Sequence, residues 1–267
     1  MGNQISFSLI TVSSNSSKTI ERTINSVLSQ TYQDFEYIII DGSSTDRTLD
    51  IIKKYESKFN NNYHWISEPD SGIYNAMNKG IQMAKGEIIG IINSDDWLEP
   101  NALEIISKSI MTSGSNNTIY CGWMNFCYQN GRKQLLKTNN DRFNRYSKKY
   151  LMGINHPATF VPLTIYKKYG YFDENLRISA DIEFIIRAVK NNVKFCFIDG
   201  PLTNMSGGGV SSHFSKQKYI DRKYLLKKYT KNRIEYYYYI LSYIVITILK
   251  FFVPERLLFP FRKLNRK

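Results

Sequence analysis

The stretch EIIGIINSDDW, residues 87–97, decides the fold. Its run Ile88-Ile89-Gly90-Ile91-Ile92 is short, β-branched and bounded by polar residues. That is the pattern of a strand buried on both faces, as in a parallel sheet covered by helices. The run stops at Asn93-Ser94-Asp95-Asp96. Two adjacent carboxylates at the end of a buried strand are costly unless something cationic pairs with them. Mg²⁺ or Mn²⁺ bridging to a phosphate is a suitable partner, because hard cations take oxygen ligands. The same four residues also read as a solvated turn with capping acids before Glu99-Pro100, so the surrounding chain must decide.

Upstream, residues 5–12 form a strand pattern ending in Thr11-Val12-Ser13-Ser14, followed by Ile20, Ile24, Val27 and Leu28 at helical spacing. Residues 35–40 form a second buried strand, closed by Asp41-Gly42-Ser43-Ser44-Thr45-Asp46, and a helix follows through Leu49, Ile52 and Tyr55. Residues 63–67 form a short strand running into Glu68-Pro69-Asp70-Ser71-Gly72. Ile73, Ala76, Met77, Gly80, Ile81 and Ala84 then make one apolar helix stripe, with Asn75, Asn78 and Lys79 opposite. Four strands alternating with three helices predict an α/β layer with a mostly parallel sheet. In such sheets ligands bind beyond the carboxyl ends of the strands. Asp41, Glu68, Asp70, Asp95 and Asp96 all fall on that rim. Each alone reads as a turn or a cap. Together they would repel unless a cation or hydrogen-bond donors sat among them.

Downstream, residues 119–128 and 134–138 straddle a Gln129-Asn130-Gly131-Arg132 hairpin signal, and residues 163–169 form a helix after Asn155-His156-Pro157. Ser179-Ala180-Asp181-Ile182-Glu183 opens another helix with Ile182, Ile185, Ile186 and Val189 on one face, and residues 194–198 form a strand. Ser206-Gly207-Gly208-Gly209 with Ser211, Ser212 and His213 reads either as a loop closing over a ligand or as a connector.

The chain has 267 residues, net charge +13, 42% hydrophobic and 14% aromatic content, enough for a large core. Residues 214–267 hold 14 Lys/Arg against 3 Asp/Glu, a balance of +11, so the body is nearly neutral. A near-neutral body argues against a surface built for nucleic acid. An amphipathic helix is expected over residues 216–233 through Ile220, Tyr224, Leu225 and Tyr229, then an aromatic apolar run over 236–253, broken by Pro254 and Pro260. Tyrosines with flanking Lys/Arg suit a membrane interface, and an 18-residue run is short for a span, so an interfacial anchor is expected. A C-terminal helix docked on the domain is the structural alternative. Cys121, Cys127 and Cys196 form no CxxC, and no signal peptide is visible, which points to the cytoplasm. Met1-Gly2 with Ser6 fits the loose N-myristoylation pattern. No glycine lies between Thr11 and Ser17, which excludes a nicotinamide-binding Rossmann motif. A nucleotidyltransferase is set aside for want of a Gly-rich phosphate loop with Arg or Lys after the first strand.

In order along the chain, SLITVSSNSSKTIERTINSVLSQTYQDFEYIIIDGSSTDRT, EPDSGIYNAMNKGI, KGEIIGIINSDDWLEP, HPATF and SADIEFIIR resemble the family 2 glycosyltransferases, inverting enzymes of the GT-A fold. The EPDSGIYNAMNKG stretch is similar to bacterial surface-polysaccharide members. The resemblance implies residues 1–213 as a GT-A domain, with a nucleotide-sugar half over about 1–98 and an acceptor half over about 99–213. Residues 214–267 are then a helical, membrane-associating tail on the inner face of the cell membrane. It implies hexosyl or N-acetylhexosaminyl transfer from a nucleotide-diphosphate sugar, commonly UDP-linked, to a lipid-linked or growing saccharide, with Mn²⁺ or Mg²⁺. By position, Thr11, Val12 and Ser13 would approach the nucleotide, Asp41 the base, and Asp70 the base and ribose. Asn75 and Lys79 are further candidates for the donor. Asp96 stands at the metal position of the family's DXD-type element, with Asp95 toward ribose or diphosphate and His213 as a second candidate ligand. Asp181 aligns with the catalytic base; many members have Glu-Asp where this chain has Ala180-Asp181. His156 is a weaker base or metal candidate. A non-catalytic basic module binding an anionic membrane or nucleic acid is the competing reading.

Overall fold

The chain divides into two compact units, Met1–Ser212 and His213–Lys267. A computed structural model describes residues 6–113, 117–207 and 216–252, with side chains to residue 245. The Met1-Gly2 pattern, residues 208–212 of the glycine-rich loop, His213 and the Pro254/Pro260 segment lie outside the described residues.

The first unit opens with β1 (Phe7–Ser13), α1 (Ile20–Leu28), β2 (Phe35–Asp41), α2 (Thr48–Lys54), β3 (Tyr63–Ser67), α3 (Ile73–Met83) and β4 (Ile88–Ile91). β3, β2, β1 and β4 lie side by side and parallel. The β-branched runs explain this half. Tyr37, Ile38, Ile39 and Ile40 are all fully buried, because helices cover both faces of a parallel sheet. Each such side chain contributes about 1.5–3 kcal/mol by leaving water. α1 buries Ile20, Ile24 and Val27, the stripe expected from spacing.

The second half adds β5 (Trp97–Leu98), α4 (Ala102–Ser113), β6 (Thr118–Cys127), β7 (Lys133–Leu136), α5 (Asn140–Ser147), β8 (Thr159–Pro162), α6 (Leu163–Tyr169), α7 (Ala180–Lys190) and β9 (Lys194–Ser206). The sheet continues in the order β4-β8-β6-β9-β5, with β7 on β6. β8 pairs antiparallel with both β4 and β6, β5 and β7 are antiparallel to their partners, and β9 runs parallel to β6. β9 is longer than expected. The expected strand ends at residue 198, yet β9 runs on through Asp199-Gly200-Pro201 to Ser206. Gly200 sits at φ +139°, a conformation nearly closed to other residues, and β6 shifts register opposite it around Trp123. α7 also turns a different face inward: Ala180, Glu183, Phe184, Ile185, Ile186 and Ala188 are buried, while Ile182 and Val189 are only half-buried. Burial of Glu183 is possible because Arg187 pairs with it at 2.8 Å.

The second unit holds α8 (Lys216–Tyr229) and α9 (Arg233–Phe252). The Tyr219 and Tyr243 rings stack at 6.4 Å, which makes the two helices an antiparallel hairpin. On α8 the buried positions are Asp221, Arg222, Leu225 and Leu226, while Ile220 and Tyr224 of the expected apolar face are exposed. Among the described residues no helix is long and apolar enough to cross a membrane.

Candidate active site

The parallel register places Ser13, Asp41 and Ser67 side by side at the ends of β1, β2 and β3. Asp41 is fully buried there. Its carboxylate accepts from the Ser13 hydroxyl at 2.9 Å, the Ser67 hydroxyl at 2.8 Å, and both N–H and hydroxyl of Ser44 at 2.9 and 2.5 Å. Such an anion is tolerable in the interior only because its lone pairs are filled. The loops above are locked to each other. Asn15 N–H donates to the Ser44 hydroxyl at 2.8 Å, Thr45 N–H to Asn15 Oδ1 at 2.9 Å, and Ser17 N–H to Asp46 at 3.1 Å. Of the three expected nucleotide-facing residues of β1, only Ser13 reaches the rim with its side chain. Thr11 is fully buried, accepting from the Tyr37 hydroxyl at 2.9 Å, and Val12 is buried beside it.

Asp70 comes to the same rim from the β3–α3 loop. A Cβ on Gly42 would stand 2.5 Å from Asp70 Oδ2, so this close approach needs the glycine of the Asp-Gly-Ser-Ser motif. Asp70 Oδ1 accepts from Gly72 N–H at 2.9 Å. Asn75 and Lys79 serve this loop and its neighbour with their side chains. Lys79 binds Glu68 at 2.7 Å and the Pro69 carbonyl at 3.1 Å, and Asn75 donates to Glu174 at 3.0 Å.

Asp95 and Asp96 follow β4, joined to the β1–α1 loop by a 2.7 Å contact between the Ser94 and Ser16 hydroxyls. The two carboxylates differ sharply. Asp96 is 1% exposed, with Oδ1 accepting from Ser206 N–H at 3.0 Å and Oδ2 from the Asn93 amide at 3.2 Å. Burial, with the neighbouring Asp95 charge, pushes its pKa up to about 7. Asp95 is half-buried, and its pKa is also raised by burial. Arg22, stacked on Trp97 at 3.8 Å, holds the Asp95 carbonyl at 2.7 Å and the Ser206 hydroxyl at 2.8 Å. Among the described residues no group of three or more His, Cys, Asp or Glu gathers for a metal. The donor set still fits Mg²⁺ or Mn²⁺: two hard carboxylates sit beside Asn93 Oδ1, a buried acceptor with no hydrogen-bond partner. Such ions take one or two carboxylates and complete their shell with substrate phosphates and water.

Asp181 lies in the first turn of α7 and is half-buried. Its Oδ1 accepts from Ile182 N–H at 2.8 Å and from the Tyr74 hydroxyl at 3.1 Å. Glu183, the other acid of that turn, is committed to Arg187. His156 is close enough to feel the Asp181 charge. Burial lowers its pKa while Asp181 partly offsets this, so the imidazole is neutral at pH 7. Ser67, Arg22, Asn93 and Tyr74 were not singled out by sequence reading. Ser67 is findable by counting the strands into register. Asn93 stands only three residues before Asp96, so its role is local, whereas Arg22 and Tyr74 are visible only once distant segments meet.

The model of the glycosyl transferase family 2 matches residues 8–171. The chain belongs to glycosyl transferase family 2. An uncharacterized glycosyltransferase of Methanocaldococcus jannaschii is 30% identical over 224 residues, covering 81% of this chain and 76% of that protein. The chondroitin synthase of Pasteurella multocida is 37% identical over 106 residues, 40% of this chain and 11% of that one. Among solved structures, S. aureus TarS in complex with UDP-GlcNAc superposes with a TM-score of 0.67 at 22% identity, over 90% of this glycosyltransferase and 72% of the TarS chain. GalNAc-T7 with UDP, GalNAc and Mn²⁺ gives 0.67 at 15% identity, over 87% and 49%. The fold of this glycosyltransferase is therefore GT-A, as its motif order implied.

Proposed function

We propose that this glycosyltransferase moves a hexosyl or N-acetylhexosaminyl group from a UDP-sugar to a saccharide or lipid-linked acceptor, with inversion, in the assembly of a surface polysaccharide. The observation that carries it is the rim on which Ser13, Asp41 and Ser67 stand in register, with Asp70 over Gly42. TarS holding UDP-GlcNAc and GalNAc-T7 holding UDP support the donor class. The chondroitin synthase likeness supports a polysaccharide product. Residues 1–98 would form the donor half and 99–213 the acceptor half.

Asp41 and Asp70 accept from the base and ribose, with Ser67 and Ser13 aiming Asp41. Lys79 and Asn75 shape the loop that carries Asp70. Asp95 and Asp96 hold Mn²⁺ or Mg²⁺. Asp95 is the outward carboxylate, and Asp96, drawn inward by Ser206 and Asn93, is the anion behind it. The bound ion supplies charge neutralisation for the diphosphate leaving group. Asp181 removes the acceptor's proton, because it is the acid of α7 not committed to an ion pair. His156, neutral beside it, keeps the neighbourhood free of a competing cation.

The helical unit makes peripheral contact with an anionic membrane, which places the protein on the inner face of the cell membrane. Ile234, Tyr237, Tyr238, Leu241 and Val245 form one exposed stripe on α9, and Lys223, Lys227, Lys228, Lys231 and Arg233 are exposed in the same unit.

The deciding experiment is a thermal-shift panel of UDP-, GDP- and dTDP-sugars with Mn²⁺. A ligand at about 100 times its Kd stabilises by about 2.7 kcal/mol, so a UDP-sugar is expected to raise the melting temperature by several degrees. A flat response to every UDP compound would overturn the donor assignment.

A further inference from the structure

Tyr74 is the second residue of α3, and its ring is 6% exposed, packed 5.5 Å from that of Phe172. A phenylalanine would fill that space equally well. The hydroxyl, however, crosses to a segment more than 100 residues away, lying 2.8 Å from the Ile178 carbonyl and 3.1 Å from Asp181 Oδ1. Ile182 N–H donates to the same oxygen. Oδ1 thus accepts from Ile182 N–H and from the Tyr74 hydroxyl, whose single proton it shares with the Ile178 carbonyl, while among the described residues no donor reaches Oδ2.

We propose that Tyr74 is the positioning residue of the base: it holds Asp181 by Oδ1, turns Oδ2 toward the acceptor, and ties the base to the loop that carries Asp70. This rests on Asp181 being the base. In the transfer, the acceptor O–H proton passes to Oδ2 as the acceptor oxygen bonds to the anomeric carbon. The bond from that carbon to the diphosphate breaks, and its electron pair leaves with the nucleoside diphosphate.

The tie to the donor loop is double. Tyr74 reaches Ile178 and Asp181, and Arg177 donates in return to the Ser71 carbonyl. Gly72, between Ser71 and α3, gives its N–H to Asp70. Donor contact at Asp70 and the placement of Asp181 are therefore held by one short stretch, residues 70–74. The other titratable groups facing Asp181 are few. His156 approaches from the segment before β8, and burial keeps it neutral. Burial and the Asp181 charge raise the Tyr74 pKa, so the phenol remains a proton donor at working pH. Arg177 is engaged at Ser71 and Glu183 at Arg187.

The test is a carbon-detected NMR titration of the Asp181 carboxyl in the full chain, assigned by its loss in Asp181→Asn. Removing a donor to the charged form raises a carboxylate's pKa, so Tyr74→Phe is expected to move the midpoint up by roughly half a pH unit or more, with melting within a few degrees of the parent. An unmoved midpoint in folded Tyr74→Phe overturns the proposal, as does a larger rise in His156→Asn than in Tyr74→Phe. The base reading fails separately, if Asp181→Asn keeps full turnover of its sugar nucleotide.

Discussion

At the scale of single residues, the acids of this glycosyltransferase are sorted by what surrounds them. Asp181→Asn keeps the shape of the side chain but cannot accept a proton. Turnover is expected to fall by about 10²–10⁴-fold with little change in melting temperature, measured by nucleotide release. Asp96 makes a pH prediction. Its folded pKa is raised to about 7, above the ordinary carboxylate value near 4, so the folded protein binds more protons than the unfolded chain between those limits. Stability of the metal-free protein is therefore expected to fall as pH rises from about 4 to about 7. Mn²⁺ offsets the buried charge and should raise the melting temperature more at pH 8 than at pH 5. Equal Mn²⁺ shifts at the two pH values would count against the site. Asp41 shows the opposite treatment of a buried acid, with serine and backbone donors filling its lone pairs instead of a neighbouring charge.

At the scale of elements, β2 and β4 announce themselves, because a strand buried on both faces must be an unbroken apolar run. α1 and α3 follow from period and spacing. β9 does not. Its apolar pattern ends at residue 198, and the φ of Gly200 with the shifted register of β6 carries the strand further. Gly200→Val is expected to cost about 1–3 kcal/mol in urea denaturation, since the new side chain would be forced into a strained backbone region. An unchanged midpoint would mean that the strand relaxes freely there. α8 forms where its period places it and buries Leu225, but Ile220 and Tyr224 of the same apolar period stand exposed while Asp221 and Arg222 are buried. Periodicity reports which faces differ, and a short helix with charges on both flanks leaves the choice of inner face to its packing partners.

At the scale of the whole molecule, the family match and the exposed stripe of α9 fall in separate units. The exposed stripe of α9 is expected to bind anionic vesicles and not neutral ones. Leu241→Glu with Tyr237→Glu should abolish co-sedimentation while leaving turnover of a soluble acceptor within about twofold, since rim and helix charges act only locally. Persistent binding of that variant to anionic vesicles would remove α9 from the interface. Membership of family 2 rests on residues 8–171, so the helical unit lies outside the family match and its role is argued from its own surface.

The amino-acid sequence by itself determined the parallel half of the sheet, the position of its acids at strand ends, and Asp181 at a helix start. Those are local facts: hydrophobic period, turn chemistry and helix-start signals act within about ten residues. Tertiary structure alone decided which acids are buried and which face outward. It set Asp96 behind Asp95, took Thr11 and Val12 into the core, gave Asn75 and Lys79 to loop contacts, and brought Tyr74 to Asp181. The physical reason is that burial and hydrogen-bond partners are supplied by segments remote in the chain. Ser206 lies 110 residues from Asp96, and Tyr74 lies 107 from Asp181.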